Sequence, residues 1–301
     1  MAEIGLKGMS DLAPSRVLFP RVRWIATAFF LAQVATVAAD TFAPTDAYAM
    51  QDPALVARPY VMSTAKAALA GGTVQVDVYQ PRNPAATGVA VLAHGFMRDR
   101  SRNRDLAEAL VRADIIAVAP DLPQEADAST LGESIATMVR ELERGALGLP
   151  PTPRAQIVLI GTSAGGLATV IAASRLPGLG GWIGLDPVDQ FGAGARAAKQ
   201  TTAPAVVLLG DASVCNLFGS GKSIAQSASS LVRSERLRGA SHCDFEGPTN
   251  NFCRTVCGGS SSRMADKVRS ETVAAALEML SGARSGDAEP DSALDSEAGA
   301  H

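Results

Sequence analysis

Between residues 73 and 211 the apolar positions follow two different rhythms. "TVQVDVYQP" (73–81) alternates apolar and polar residues, which predicts a strand with one face buried and one solvated. Five solid apolar runs follow: "GVAVLAHG" (88–95), "IIAVAPDL" (115–122), "AQIVLIG" (155–161), "GWIGLDPV" (181–188) and "APAVVLLGD" (203–211). Runs without polar interruption predict parallel strands covered on both faces. Helical periodicity fills the gaps, over 102–113, 130–146, 165–176 and 223–233, and a further helix over 265–280 closes the pattern. Strands alternating with helices predict an α/β fold over residues 50–282: a doubly wound, mostly parallel sheet with helices on both faces. No internal repeat is visible.

The two ends of the chain do not fit this pattern. Lys7, Arg16, Arg21 and Arg23 precede the apolar run "WIATAFFLAQVATVAA" (24–39), and "AYA" (47–49) supplies a small-x-small cleavage pattern. "VAA" (37–39) is the competing site. The run falls short of the roughly 20 residues a bilayer span needs, so residues 1–49 read as a cleaved export signal rather than a retained anchor. Residues 283–301 are acidic and rich in small residues, which predicts a disordered tail.

Composition narrows the class. The chain of 301 residues is 47% hydrophobic and 19% charged, enough apolar material for one large buried core. Its net charge of −3 offers nothing to attract nucleic acid. "RDRSRNR" (98–104) is a basic run, but it lies where a helix begins and reads as a solvated entrance. All four cysteines, Cys215, Cys243, Cys253 and Cys257, lie in the last third. An even number in an exported chain points to two disulfides, with three connectivities open. Metal binding by Cys253, Cys257 and Cys243 is the alternative, but it lacks a fourth ligand at finger-like spacing.

"GTSAG" (161–165) carries the candidate chemistry. It matches G-x-S-x-G with an apolar strand before it and a helix after it. Such a turn strains the serine backbone, needs small neighbours, and directs a helix N-terminus at charge developing beside Ser163. A serine hydroxyl needs a base, and the chain has only three histidines. His301 ends the tail, and His94 ends the first core strand. His242, in "GASHCDF", follows the last predicted strand, where the serine–acid–histidine order places the base. "HGF" (94–96) can supply the Phe96 N–H beside that of Ala164 as an oxyanion hole, with His94 bracing the loop. Three aspartates compete for the acid: Asp186, Asp189 and Asp211. Spacing favours Asp211 slightly.

"HGF", "GTSAGG", "GLDPVD" and "SHCDF", in this order, resemble the chlorophyllase and platelet-activating-factor acetylhydrolase branch of the α/β-hydrolases. Dienelactone-hydrolase-like and polyester-hydrolase esterases are also similar. The resemblance covers about residues 60–280. It implies an α/β-hydrolase fold and makes the aspartate of "GLDPV", Asp186, the triad acid, with Asp211 in reserve. Two features depart from the plant chlorophyllases: Ala164 stands where they carry a larger residue, and the cysteine cluster near His242 has no counterpart. Both point away from chlorophyll as substrate.

The expectation is a secreted or periplasmic serine esterase, with Ser163, His242 and Asp186 catalytic and Phe96 and Ala164 binding the oxyanion. It needs no cofactor or metal. Its partner is a small-molecule, lipid-like or polymeric ester, with no nucleic acid and no stable membrane insertion after signal cleavage. The short stretch 188–203 leaves no room for a long lid. A lipase, thioesterase or transacylase would use the same residues, and a binding protein without turnover is the reading from another class.

Overall fold

The computed structural model describes residues 58–82, 86–123 and 126–286. The expected export signal and the tail beyond Gly286 lie outside the described residues. One eight-stranded sheet runs through the described chain in the order β1-β2-β4-β3-β5-β6-β7-β8. Its strands are β1 (Tyr60–Leu69), β2 (Gly72–Pro81), β3 (Gly88–Ala93), β4 (Ile115–Pro120), β5 (Ile157–Thr162), β6 (Gly181–Leu185), β7 (Ala205–Leu209) and β8 (Leu231–Arg236). β1 and β2 pair antiparallel, β2 meets β4 antiparallel, and β4 through β8 are parallel.

The helices are α1 (Arg104–Arg112), α2 (Ala128–Arg144), α3 (Ala164–Ala173), α4 (Ala193–Gln200), α5 (Gly221–Ser227), α6 (Asn251–Val256) and α7 (Ser262–Gly286). The solid apolar runs have a direct cause. Val89, Val91, Ile157 and Leu159 face the core under α2, α3, α4 and α5, while Ala90, Leu92, Val158 and Ile160 face the core under α1 and α7. β3 and β5 are therefore buried on both sides. α3 lies deepest: every residue from Gly165 to Ala173 is buried, which is why it is apolar all round. Trp182 on β6 is fully buried, and its indole N–H is satisfied by the Thr169 hydroxyl of α3 at 2.8 Å.

The structure corrects the expected elements in several places, and α4 and α6 are helices where none was expected. The helix expected over 223–233 stops at Ser227, and Leu231–Arg236 is instead the edge strand β8. β8 is mostly exposed and charged, with Arg233 pairing Glu235 and Glu271, so it carries no apolar signature. β1, the opposite edge, is equally silent in sequence. α7 runs on to Gly286, past the expected start of the tail. Among the described residues no helix is long and apolar enough to cross a membrane.

β3 hydrogen-bonds to β4 on one side and to β5 on the other, so the strand order reverses there. The chain leaves the carboxyl ends of β3 and β5 in opposite directions and opens a crevice between them. "HGF" follows β3 and "GTSAG" ends β5, so both motifs meet at this switch point.

Candidate active site

Ser163 links β5 directly to α3 with φ 57° and ψ −121°, a conformation that costs a non-glycine residue about 1–3 kcal/mol. The fold holds it there. The Ser163 N–H donates to the Leu185 carbonyl at 3.0 Å, and the Ser163 carbonyl accepts from Leu167 and Val188. The glycines of the motif mark where backbone passes backbone. A Cβ at Gly165 would lie 2.3 Å from the Ala93 carbonyl oxygen, and one at Gly161 would lie 2.3 Å from that of Gly165. A Cβ at Gly95 would come within 3.3 Å of the Ser163 Cβ, so the loop after β3 lies against the serine.

That loop is braced by His94, which is 4% exposed. Its Nδ1–H donates to the Gly95 carbonyl, and its Nε2 accepts the Leu122 N–H, both at 2.9 Å. This arrangement requires the neutral ring, and burial lowers the His94 pKa below its usual value. Phe96 turns outward, and its N–H makes no hydrogen bond among the described residues. Ala164 opens α3, where an N–H has no acceptor within the helix. The basic run 98–104 makes ion pairs and hydrogen bonds within the fold. Arg98 pairs with Glu246, Arg100 with Asp77 and Asp121, and Arg102 donates to the Pro248 carbonyl. The Arg98 and Arg102 bonds clasp the loop after β3 to the loop beyond His242, and Arg100 ties it to β2 and to the loop after β4.

His242 begins a 3-10 turn, His242–Phe245, after β8. The hydroxyl of Thr162, next to Ser163, donates to the Phe245 carbonyl at 3.1 Å and ties this turn to the end of β5. Within the turn, Asp244 accepts from the N–H groups of Ser241 and Ser261 and from the Ser260 hydroxyl. The His242 Nδ1 lies 2.6 Å from Asp186 Oδ2. A carboxylate can only accept, so Nδ1 carries the proton and Nε2 keeps the lone pair. Asp186 is 1% exposed, stands in left-handed geometry at φ 42°, and its Oδ1 accepts the Gly210 N–H at 2.9 Å.

The other two aspartates lie elsewhere. Asp211 is turned outward, pairing with Arg236 and accepting the Gly239 N–H. Asp189 caps α4, accepting from the Gly194 and Ala195 N–H groups and the Ser223 hydroxyl. The cysteines form Cys215–Cys257 and Cys243–Cys253. A direct Cys253–Cys257 link does not occur. The Sγ atoms of Cys243, Cys253 and Cys257 lie within 4.8 Å of one another, but each is spent in a disulfide, which leaves no thiolate for a metal. Motif reading missed Thr162, Asp244 and Asn216. Thr162 ends β5, Asp244 and Asn216 sit in short 3-10 turns, and the role of each shows only through its hydrogen-bond partners.

No family model and no curated protein matches the chain. Among solved structures, dienelactone hydrolase from Anabaena variabilis superposes with a TM-score of 0.57 at 18% identity, over 74% of this chain and 98% of that one. The fold is that of an α/β-hydrolase. Positions can then be described in its terms: Ser163 at the strand-to-helix elbow, His242 after the last strand, and Asp186 after β6. A groove of about 530 Å³ lies at the other end of the sheet, lined by Ala155, Leu179, Val206 and Met279, and none of the candidate site residues line it.

Proposed function

We propose that the protein is an exported serine esterase. Ser163 Oγ attacks the ester carbonyl carbon while His242 Nε2 takes its proton. The N–H groups of Phe96 and Ala164 stabilise the oxyanion, each contributing on the order of 10²–10³ in rate. Collapse of the tetrahedral intermediate breaks the ester C–O bond, and the imidazolium returns its proton to the leaving alkoxide. Water, deprotonated by His242, then releases the acid and restores Ser163. Asp186 holds the ring and balances its transient charge. These steps use no metal or organic cofactor.

One observation carries this reading: a strained Ser163 stands at the switch point, on a turn hydrogen-bonded to the one that bears the His242–Asp186 pair. The two disulfides suit an oxidising compartment, which supports export. Bulky side chains on the surrounding loops support a lipid-like or polymeric ester as substrate. Phe191 is 90% exposed and Phe218 79% exposed, and both are held at positive φ. Apolar residues displayed at that backbone cost serve what lands on them.

The test is covalent. A fluorophosphonate probe should label the folded protein at Ser163 and leave Ser163→Ala unlabelled. Folded protein that takes no label would instead be a binding protein without turnover.

A further inference from the structure

Asn216 is fully buried in the short turn Val214–Asn216, between β7 and α5, and every hydrogen-bonding group of its amide is used. Its Nδ2 donates to Asp186 Oδ2 at 3.0 Å and to the Asp211 carbonyl at 2.8 Å. Its Oδ1 accepts from the Ser213 and Gly219 N–H groups, both at 2.9 Å. The amide has one satisfactory orientation, because a flip would set its oxygen against a carboxylate and a carbonyl. The oxygen that receives the His242 proton is therefore also the one that receives Asn216. Gly210 fixes the other oxygen.

Two covalent ties surround this arrangement. Cys215 precedes Asn216 and is bonded to Cys257; Cys243 follows His242 and is bonded to Cys253. Both partners sit on or beside α6, a six-residue helix whose buried contacts are made by cysteine. The turn carrying Asn216 and the turn carrying His242 are thus stapled to one short element.

We infer that Asn216 is a positioning residue for the esterase reaction: its Nδ2 fixes the Asp186 carboxylate in the orientation that holds His242, and the Cys215–Cys257 disulfide keeps it there. This rests on the serine-esterase reading above. A merely structural Asn216 would act through the bonds that close its own loop, Oδ1 on Ser213 and Gly219 and Nδ2 on the Asp211 carbonyl, and would leave His242 unmoved.

Asn216→Asp separates the two roles. It keeps acceptors for both turn N–H groups, removes the donors to Asp186 and to the Asp211 carbonyl, and puts a second carboxylate against Asp186. On a short-chain p-nitrophenyl ester, kcat should fall roughly 10- to 100-fold, with KM and disulfide content near wild type, while the buried second carboxylate lowers Tm. The downfield proton resonance of His242 Nδ1–H should move, while that of His94 Nδ1–H serves as the internal control. Asn216→Ala should give the same kcat loss and resonance shift if the aspartate variant does not fold. Wild-type kcat with an unmoved His242 resonance in either folded variant overturns the inference. A wild-type protein that takes no fluorophosphonate overturns the esterase reading alone, since the resonance still reports whether Asn216 orients Asp186.

Discussion

At the scale of single residues the site depends on which carboxylate reaches His242. Asp186 and Asp211 follow neighbouring strands, β6 and β7. What separates them is burial and partners. Asp186 is enclosed and receives the Gly210, Asn216 and His242 donors; Asp211 faces solvent beside Arg236. Asp186→Asn should therefore lower p-nitrophenyl ester turnover by about 10³–10⁴-fold, because an amide in that place favours the wrong imidazole tautomer. Asp211→Asn, which loses a largely exposed ion pair, should cost less than about tenfold. Steady-state kinetics on the two variants checks this, and the opposite order would move the acid to Asp211. Linear spacing leaned towards Asp211 because it measures distance along the chain. It cannot register that Asp186, in left-handed geometry, brings its buried carboxylate to His242.

At the scale of elements, the loop after β3 is held to the loop after β4 by the Arg100–Asp121 pair and, deeper, by one neutral imidazole. The Leu122 N–H needs His94 Nε2 as an acceptor, so protonating His94 removes that bond and charges a buried ring. The His94 pKa is lowered in the folded state, so the unfolded chain binds more protons than the native one as acidity rises. Stability from this group is whole above the ordinary histidine value of about 6.5 and is lost as pH falls below it towards the depressed native value. Thermal unfolding followed between pH 7.5 and 5.5 should show Tm falling, and His94→Gln, which keeps an acceptor that does not titrate, should flatten the fall. Legibility in sequence follows the same elements. β3, β5, β6 and β7 are plain because both faces are buried, and "GTSAG" is plain because backbone contact excludes a Cβ at Gly161 and Gly165. β8 was hidden because an edge strand need not be apolar. α6 was hidden because disulfides, not an apolar stripe, fix it to the fold.

At the scale of the molecule, the carboxyl end of the sheet gathers several exposed apolar side chains. Loops leaving the carboxyl ends of β3, β6, β7 and β8 carry Met97, Phe191, Leu217, Phe218 and Phe252, all exposed. Each belongs to a loop that also bears a candidate site residue or a residue bonded to one. Phe252 shows how such exposure arises: Cys253 and Cys257 take the inward face of α6, which frees Phe252 and Val256, four residues apart, to face outward together. A dissolved short ester gives these side chains little to cover, whereas an apolar ester phase covers several at once. Burying a phenylalanine side chain is worth about 1.5–3 kcal/mol, and about 1.4 kcal/mol is a factor of ten in affinity. The doubly substituted Phe191→Ser, Phe218→Ser protein should therefore lose at least about tenfold in its rate on a dispersed long-chain or polymeric ester relative to its rate on dissolved p-nitrophenyl acetate. Rates on the two substrates, with sedimentation to measure adsorption to the dispersed phase, decide the matter. Equal losses on both would mean that these residues hold up the catalytic loops rather than receive the substrate, and that the esterase acts on esters in solution.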